Sequence, residues 1–556
     1  MEFNKAKGKR RMIAVLVMAL LILILLITKI GWIQFVQGAE LQEKAYKQQT
    51  LNQIISPKRG TIYDSTKEKI LAISATVETI SINPRLIKEE NKEKVAKAFS
   101  DIFELEYETM LEKVNKDTSI ETIIKKVEKN KVDELREWMK TNKISSGINI
   151  DEDSKRYYPY DSLASHLIGF CGDENQGMEG IEHKLDSSLK GTVGKIVVAK
   201  NAKGEELPNG EETYVPSENG NDIVLTIDAN IQMVAEKYLK QAVIENECTE
   251  GGNVVIMNPK NGDILAMATY PDYNLNSPFE INTDFFSGNW DELSSDDKKN
   301  VWYKMWRNKA ISDTYEPGST FKLITAAIGL EESLTVPNRA GEFSCTGTTE
   351  LYDEKINCLK RIVHGQQSLT DALCQSCNSA FIQLGQKIGN KTFYKYLEAF
   401  GFMSKTGVDL PGEATGLFPK EDERGPVELA TLSFGQRFKI TPLQLTTAVS
   451  AIVNDGKLMK PRIVKQIIDT DNSITTEVEP VFVRQVISAQ TSETMRGLME
   501  TVVVEGSAKH AAVQGYTIGG KTGTSEDGVN TNKYVASFIG VAPVENPRSS
   551  YACYFI

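Results

Sequence analysis

The chain has 556 residues, 25% of them charged, and a net charge of −11. One hydrophobic core does not serve a chain of this length, so two or more domains are expected. The acidic balance excludes a nucleic-acid binder, which would carry a basic face.

Residues 12–28 form an unbroken run of small and apolar side chains, weakly extended over 30–36, and Lys5, Lys7, Lys9, Arg10 and Arg11 precede it. About twenty helical residues cross a hydrocarbon core of ~30 Å. Excess Lys and Arg mark the cytoplasmic flank. A cytoplasmic tail over 1–11, a membrane anchor over 12–33 and an extracytoplasmic remainder are therefore expected. No A-x-A site follows the run, so a retained anchor is expected over a removed signal peptide, and with no second long apolar run the chain reads as single-pass. Residues 38–56 read as a polar stalk of helical character. Residues 57–64 then form a turn feeding a strand that continues at Ile70-Leu71-Ala72.

Residues 86–143 are rich in Lys and Glu, with Val95, Phe99, Ile102, Leu105, Met110 and Leu111 spaced among them. That spacing predicts amphipathic helices with solvated outer faces. Glycines punctuate 157–194, where His166 and His183 read as structural or surface residues. Polar sequence with Gly and Pro over 201–221 reads as a linker. The next domain opens at Asp222, with a helix from Ile231 and a hairpin of buried strands over 253–259 and 262–268. Pro271 cannot donate to a sheet ladder and stops the second strand.

Glu316-Pro317-Gly318-Ser319-Thr320-Phe321-Lys322 follows, and leads into the apolar run Leu323-Ile324-Thr325-Ala326-Ala327-Ile328. Pro and Gly end what precedes them, and the run predicts a buried helix with Ser319 and Lys322 on its first turn. Residues i and i+3 share a helix face, so the amine hangs beside the hydroxyl near unpaired backbone N–H groups. A serine needs a base before it attacks, and a lysine depressed by burial can be that base. Two further stretches stand downstream, Ser376-Cys377-Asn378 and Lys521-Thr522-Gly523-Thr524. Each alone is a common pattern; the order S-x-x-K, S-x-N, K-T-G is specific.

These three motifs resemble the active site of a class B penicillin-binding protein. The resemblance extends over nearly the whole chain. Arg59-Gly60-Thr61-Ile62-Tyr63-Asp64 is similar to the entry of the family's pedestal domain, and 177–182 with 189–192 to its second pedestal signature. Residues 429–444 resemble the loop and helix before the third motif. The implied architecture is α+β: a single-pass anchor, an elongated pedestal over 34–215, and over 222–556 a transpeptidase domain with a central antiparallel sheet flanked by helices. The implied activity is a peptidoglycan D,D-transpeptidase of the acyl-serine type, which cross-links stem peptides and is a covalent target of β-lactams. Ser319 would attack, Lys322 take its proton, Ser376 relay it to the leaving amine, and Asn378 hold Lys322 and the substrate amide. Lys521, Thr522 and Thr524 would hold the substrate carboxylate around Gly523, with backbone N–H groups of Ser319 and Thr524 as an oxyanion hole. Division or sporulation proteins and a polytopic membrane glycan polymerase are the implied partners. A second reading makes the chain a scaffold that activates that polymerase, with the acyl site dispensable. The family usually ends in a long final strand. Here the sequence stops at Tyr551-Ala552-Cys553-Tyr554-Phe555-Ile556, so a short last strand and a weakened sheet edge are expected.

Catalysis of this kind needs no cofactor, but a metal is a separate question. The chain has seven cysteines, and Cys345, Cys358, Cys374 and Cys377 cluster around His364. These are zinc-ligand types. Cys377, in the middle of S-x-N, reads as buried packing. A structural zinc on Cys358, His364 and Cys374, with Cys345 or Asp353 as fourth ligand, is one reading. A disulfide between Cys345 and Cys358 plus free thiols is the other, and an extracytoplasmic location permits it.

Overall fold

This computed structural model describes residues 2–37, 50–199, 213–352, 354–358, 361–526 and 533–555. The chain divides into two units, Met1–Pro57 with Thr192–Glu218, and Lys58–Gly191 with Asn219–Ile556.

In the first unit, a helix spans Glu2–Phe35. Its Met12–Phe35 portion is 24 residues of apolar sequence with none of it buried. At 1.5 Å per residue that portion is about 36 Å long, enough for a bilayer core of about 30 Å. A helix apolar all round and unburied among the described residues is suited to lipid. The unit also holds a three-stranded antiparallel sheet, with Gly194–Ala199 between Thr50–Ile55 and Thr213–Val215. Two expectations change here. Residues 50–55 of the expected helical stalk form a strand, and residues 213–215 of the expected linker form another; 38–49 and 201–212 lie outside the described residues. Long-range pairing with 194–199 overrides local polarity in both.

The second unit begins at a buried ionic knot. The Arg59 guanidinium donates to Glu182 Oε2 at 2.6 Å and to Asp186 Oδ1 at 2.7 Å, while Arg156 Nε donates to Glu182 Oε1 at 2.6 Å. Glu182 is fully buried; burial pushes its carboxyl up, but Arg156 and Arg59 overcome this and leave it below the usual range. The knot ties the Arg59 turn to the helix Gly180–Lys184, which fits a structural role for that motif. Gly177 is required beside it, since a Cβ there would lie 1.9 Å from the Glu182 carbonyl oxygen. The two histidines serve packing: buried His166 is held by the Met305 carbonyl at 3.0 Å, and His183 by that of Gly177 at 3.1 Å.

Helices Glu89–Phe103, Tyr107–Asn115 and Lys129–Asn142 carry the expected buried stripe, including Val95, Phe99, Ile102 and Met110. The sequence reading missed Glu121–Val127, which is a strand on the 13-residue strand Ile70–Ile82. Its Thr122-Ile123-Ile124 core favours a pleated surface, and the pairing partner is distant in sequence. Ile148–Tyr157 pairs with the same long strand. These strands belong to a seven-stranded sheet that continues through Ile62–Tyr63 and Asp222–Leu225 to Val464–Asp469 and Ile474–Glu477.

The second sheet is five-stranded and antiparallel, in the order Ile264–Tyr270, Gly252–Met257, Ser549–Phe555, Tyr534–Ala542, Gly519–Glu526. The expected hairpin is present, and its second strand ends at Tyr270 before Pro271. The last strand is not a weak edge: Ser549–Phe555 lies between Gly252–Met257 and Tyr534–Ala542. The edge is Gly519–Glu526, which carries the K-T-G motif. Helix Ala229–Glu245, capped by Asp228, packs on the hairpin. Helix Pro442–Val453 is buried at every residue and helix Lys322–Glu331 over residues 322–329. Together with Asn378–Ile388 and Ala489–Val504 they form the largest core, against which the sheet lies.

Candidate active site

The first motif lies on a tight turn. Gly318–Phe321 is a 3₁₀ turn that runs directly into helix Lys322–Glu331. Gly318 takes φ +54, and a Cβ on it would come 2.8 Å from the Thr524 carbonyl oxygen. A residue without a side chain is what lets this turn meet the edge strand. Gly435 supports it from the other side: Gly318 N donates to Gly435 O at 2.8 Å, and a Cβ at Gly435 would lie 2.0 Å from Gly318 O. Gly523 is similarly confined, with Ser537 Oγ at 2.5 Å and Pro317 O at 2.9 Å from a hypothetical Cβ.

The structure brings the three motifs together. Lys322 is fully buried, and its Nζ reaches Ser376 O at 2.7 Å, Asn378 Oδ1 at 2.7 Å and Ser376 Oγ at 3.2 Å. Burial first, and then the charge of Lys521, push this amine well below its ordinary range. Among the described residues none hydrogen-bonds to the half-buried Ser319 hydroxyl, one turn before Lys322. Ser376 sits in a turn between helices Leu369–Cys374 and Asn378–Ile388, with φ +53. A non-glycine residue in that region is strained by about 1–3 kcal/mol, and such strain concentrates at functional sites. Asn378 also donates to Asn357 O at 3.1 Å, which ties the motif to the hairpin Thr348–Leu351/Glu354–Asn357.

Lys521 is likewise fully buried, and burial lowers it to about 8. Its Nζ lies 3.0 Å from Thr522 O and 3.4 Å from Ser507 Oγ. Thr522 is half-buried and Thr524 exposed, on the strand whose outer edge carries no neighbour in the sheet. Sequence reasoning missed Ser507, since nothing in Glu505-Gly506-Ser507 signals a contact with the third motif. It is placed by its own N–H, which donates to Cys374 O at 2.9 Å.

Beside the second motif lies a cluster of metal-ligand types. The candidate donor atoms of Cys345, Cys358, His364 and Cys377 all fall within 4.8 Å of one another. His364 Nδ1 is 3.5 Å from both Cys345 Sγ and Cys358 Sγ, and Cys358 Sγ is 3.9 Å from Cys377 Sγ. The expected set changes by one residue. Cys374 stands apart, half-buried against Gly506, and Cys377 takes its place. The left-handed turn at Ser376 carries Cys377 to the core side, fully buried. Asp353 lies outside the described residues.

Residues 252–554 match the penicillin binding protein transpeptidase domain, and residues 54–225 the penicillin-binding protein dimerisation domain. The chain belongs to the class B penicillin-binding protein family. It is 36% identical to stage V sporulation protein D of Bacillus subtilis, over 98% of this chain and 81% of that protein. It is 28% identical to peptidoglycan D,D-transpeptidase FtsI of Escherichia coli K12, over 95% of this chain and 84% of that one. The crystal structure of penicillin binding protein 2X from Streptococcus thermophilus superposes with a TM-score of 0.72 at 23% identity, covering 91% of this chain and 77% of that chain. That likeness concerns the fold. In this penicillin-binding protein the transpeptidase domain carries all three motifs, and the buried Lys322 amine of the first joins it to the second.

Proposed function

We propose that this protein is a membrane-anchored serine D,D-transpeptidase that cross-links peptidoglycan stems through an acyl-serine intermediate and is acylated by β-lactams at the same serine. The observation that carries the reading is Lys322: a fully buried amine with two carbonyl-type oxygens at 2.7 Å. A neutral amine has two hydrogens and a lone pair. The hydrogens go to Ser376 O and Asn378 Oδ1, which leaves the lone pair for a hydroxyl proton. Ser319 Oγ attacks the carbonyl carbon between the two terminal D-alanines, and its proton passes to Lys322. The C–N bond breaks, and Ser376, 3.2 Å from Lys322, relays that proton to the departing D-alanine amine. An acceptor amine then attacks the ester, its proton leaves by the same path, and Ser319 regains its hydroxyl. Lys521, Thr522 and Thr524 hold the terminal carboxylate, and the N–H groups of Ser319 and Thr524 hold the oxyanion beside Gly523. The names of the relatives in Escherichia coli and Bacillus subtilis support the substrate class and a division or sporulation setting.

The remaining assignments follow from the same reading. Residues 1–11 are cytoplasmic, 12–33 span the membrane, 34–215 form the pedestal and 222–556 the extracytoplasmic transpeptidase domain. A polytopic glycan polymerase is the fitting membrane partner. A structural zinc on Cys345, Cys358, His364 and Cys377 braces the second motif. Bonds of about 2.3 Å to sulfur and about 2.0 Å to nitrogen in a tetrahedron give S···N edges of roughly 3.5 Å and S···S edges of roughly 3.8 Å, close to the 3.5 and 3.9 Å separations here. With four protein ligands such a metal leaves no open position, so its role is to hold Ser376 and Asn378 in register rather than to react.

Labelling of the purified protein with a fluorescent penicillin, beside Ser319→Ala and Lys322→Ala variants, tests the reading. A stable label on the parent that is lost in Ser319→Ala is expected. A label that forms and hydrolyses quickly points to a β-lactamase and overturns it.

A further inference from the structure

A cavity of about 320 Å³ lies in the second unit, between the short helix Gly180–Lys184 and the end of helix Ser295–Trp306. None of its lining residues belongs to the three motifs or to the cysteine cluster. Its walls hold two large aromatic rings, Tyr303 and Trp306, and two charged groups, Glu179 and Arg307. Ser312 closes one side and lies seven residues before Ser319 on the same segment.

Helix spacing sets the two rings. Tyr303 and Trp306 are three residues apart and share a helix face. Their rings meet at 83° with centroids 5.9 Å apart, and so form a corner. Trp306 is held in place: its indole N–H donates to Pro278 O at 2.8 Å, and its ring lies parallel to that of Trp302. Tyr303 is 61% exposed, and its hydroxyl makes no hydrogen bond among the described residues.

The polar groups of the wall are short of partners. The half-buried Glu179 carboxyl makes no hydrogen bond among the described residues, and burial, opposed by the nearby His183, holds it above its usual range. His183 donates from Nδ1 to Gly177 O at 3.1 Å, which leaves its Nε2 as an acceptor. Arg307 donates from Nε to Asp313 and from Nη2 to Ser312 O, which leaves Nη1. Glu179 and Arg307 form no ion pair with each other among the described residues. Polar groups left in this condition gain from a ligand that pairs with them.

The charges narrow the class of ligand. An anion meets Glu179. A cation meets Arg307 and finds no further acid in the wall, because Asp313 is taken by Arg307. What fits is a neutral ring with hydroxyl and amide groups around its rim and a C–H face to lay against an aromatic ring. The volume stands at the small end of the range for ligand sites, which suits a single ring rather than a peptide.

We infer that this cavity binds an acetamido sugar, one ring of the glycan strand whose stems the enzyme joins. The C–H face of the sugar lies in the corner of Tyr303 and Trp306, its acetamido N–H donates to Glu179, and Arg307 Nη1 donates to the acetamido carbonyl. A ring hydroxyl donates to His183 Nε2. The inference rests on the transpeptidase reading and adds a strand-holding site to it. A glycan held here keeps its stems on the enzyme between encounters with Ser319, which raises their effective concentration.

The test uses the full chain in a detergent without a sugar headgroup, and three tetrasaccharides: N-acetylated chitotetraose, its deacetylated form and cellotetraose. They differ only in the group on the second carbon of each ring, which is an acetamide, an amine or a hydroxyl. Binding is read by titration calorimetry, and labelling by a fluorescent penicillin is followed on the same samples. The acetylated form is expected to bind roughly tenfold or more tighter than either of the others. Tyr303→Ala and Glu179→Gln should each weaken it by roughly fivefold or more while Ser319 is labelled at the parent rate. Should Glu179→Gln fold poorly, Tyr303→Ala on the exposed face carries the same expectation. Equal affinity for the three sugars, no binding of any, or an acetylated-sugar affinity unchanged in both variants overturns the glycan site and, on a parent that labels normally, leaves the transpeptidase intact. Failure of the parent to label at all overturns the transpeptidase reading itself.

Discussion

Gly435→Ala separates the placement of Ser319, the proposed nucleophile, from the stability of the fold. The new Cβ would stand 2.0 Å from Gly318 O and 2.7 Å from Gly318 C, and the residue keeps φ +91. Clearing that contact requires a shift of about 1 Å between the Gly435 loop and the Ser319 turn, and a displacement of that size at a reacting group costs on the order of 10²-fold. The left-handed conformation adds roughly 1–2 kcal/mol of strain. Phe434 and Phe438 on either side stay in the core, so the domain should remain folded with a modestly lower Tm. The assay is the second-order rate constant for acylation by a fluorescent penicillin, read beside a thermal melt. A fall of about 10²-fold in acylation with a cooperative melt is expected. Acylation within about twofold of the parent would refute the claim that the Gly318–Gly435 contact positions Ser319.

Four further outcomes are expected. Lys322→Ala should slow acylation by about 10²–10⁴-fold, and Lys322→Arg should not restore it, because a guanidinium stays protonated; the same labelling rates decide. Lys521 is lowered to about 8 by burial; under the proposed mechanism its charged form holds the substrate carboxylate, so acylation by carboxylate-bearing β-lactams should fall as pH rises through about 8, and a profile flat to about pH 9.5 contradicts that role. Because the unfolded lysine titrates near 10.5, the unfolded chain binds more protons between these values, and the contribution of Lys521 to stability rises with pH across that window. Glu182→Ala removes the carboxylate partner of the buried Arg156 guanidinium and leaves Arg59 with Asp186 alone, and should destabilise the unit by about 3–5 kcal/mol in denaturant titration. Protein purified without chelators should carry one zinc per chain by elemental analysis, and His364→Ala should lower that content; absence of zinc in the parent counts against the metal.

What the sequence made legible was local. S-x-x-K needs only the i, i+3 spacing on one turn, and the apolar run behind Lys322 announces its burial. The hairpin after Asp222 and the stop at Pro271 are equally short-range. The readings that changed depend on distant partners. Residues 121–127 carry a short β-branched core inside a helical charge pattern, and their ladder partner Ile70–Ile82 is distant in sequence; 50–55 likewise becomes a strand only beside 194–199. Cys377 rather than Cys374 lies with Cys345, Cys358 and His364, past a left-handed residue at Ser376, which spacing does not encode. Ser507 reaches Lys521 through the packing of the Ala489–Val504 helix on the edge strand, a contact with no local signature. The last strand lies between two others because the chain returns to the centre of its sheet, whereas order along the sequence suggested an edge.

The most direct test is mass spectrometry of the intact and digested protein after brief exposure to a penicillin. The acyl-serine mechanism expects one stoichiometric adduct, confined to the peptide carrying Ser319, stable over the labelling time and absent from Ser319→Ala. An adduct on another residue, or full labelling of Ser319→Ala, would contradict it.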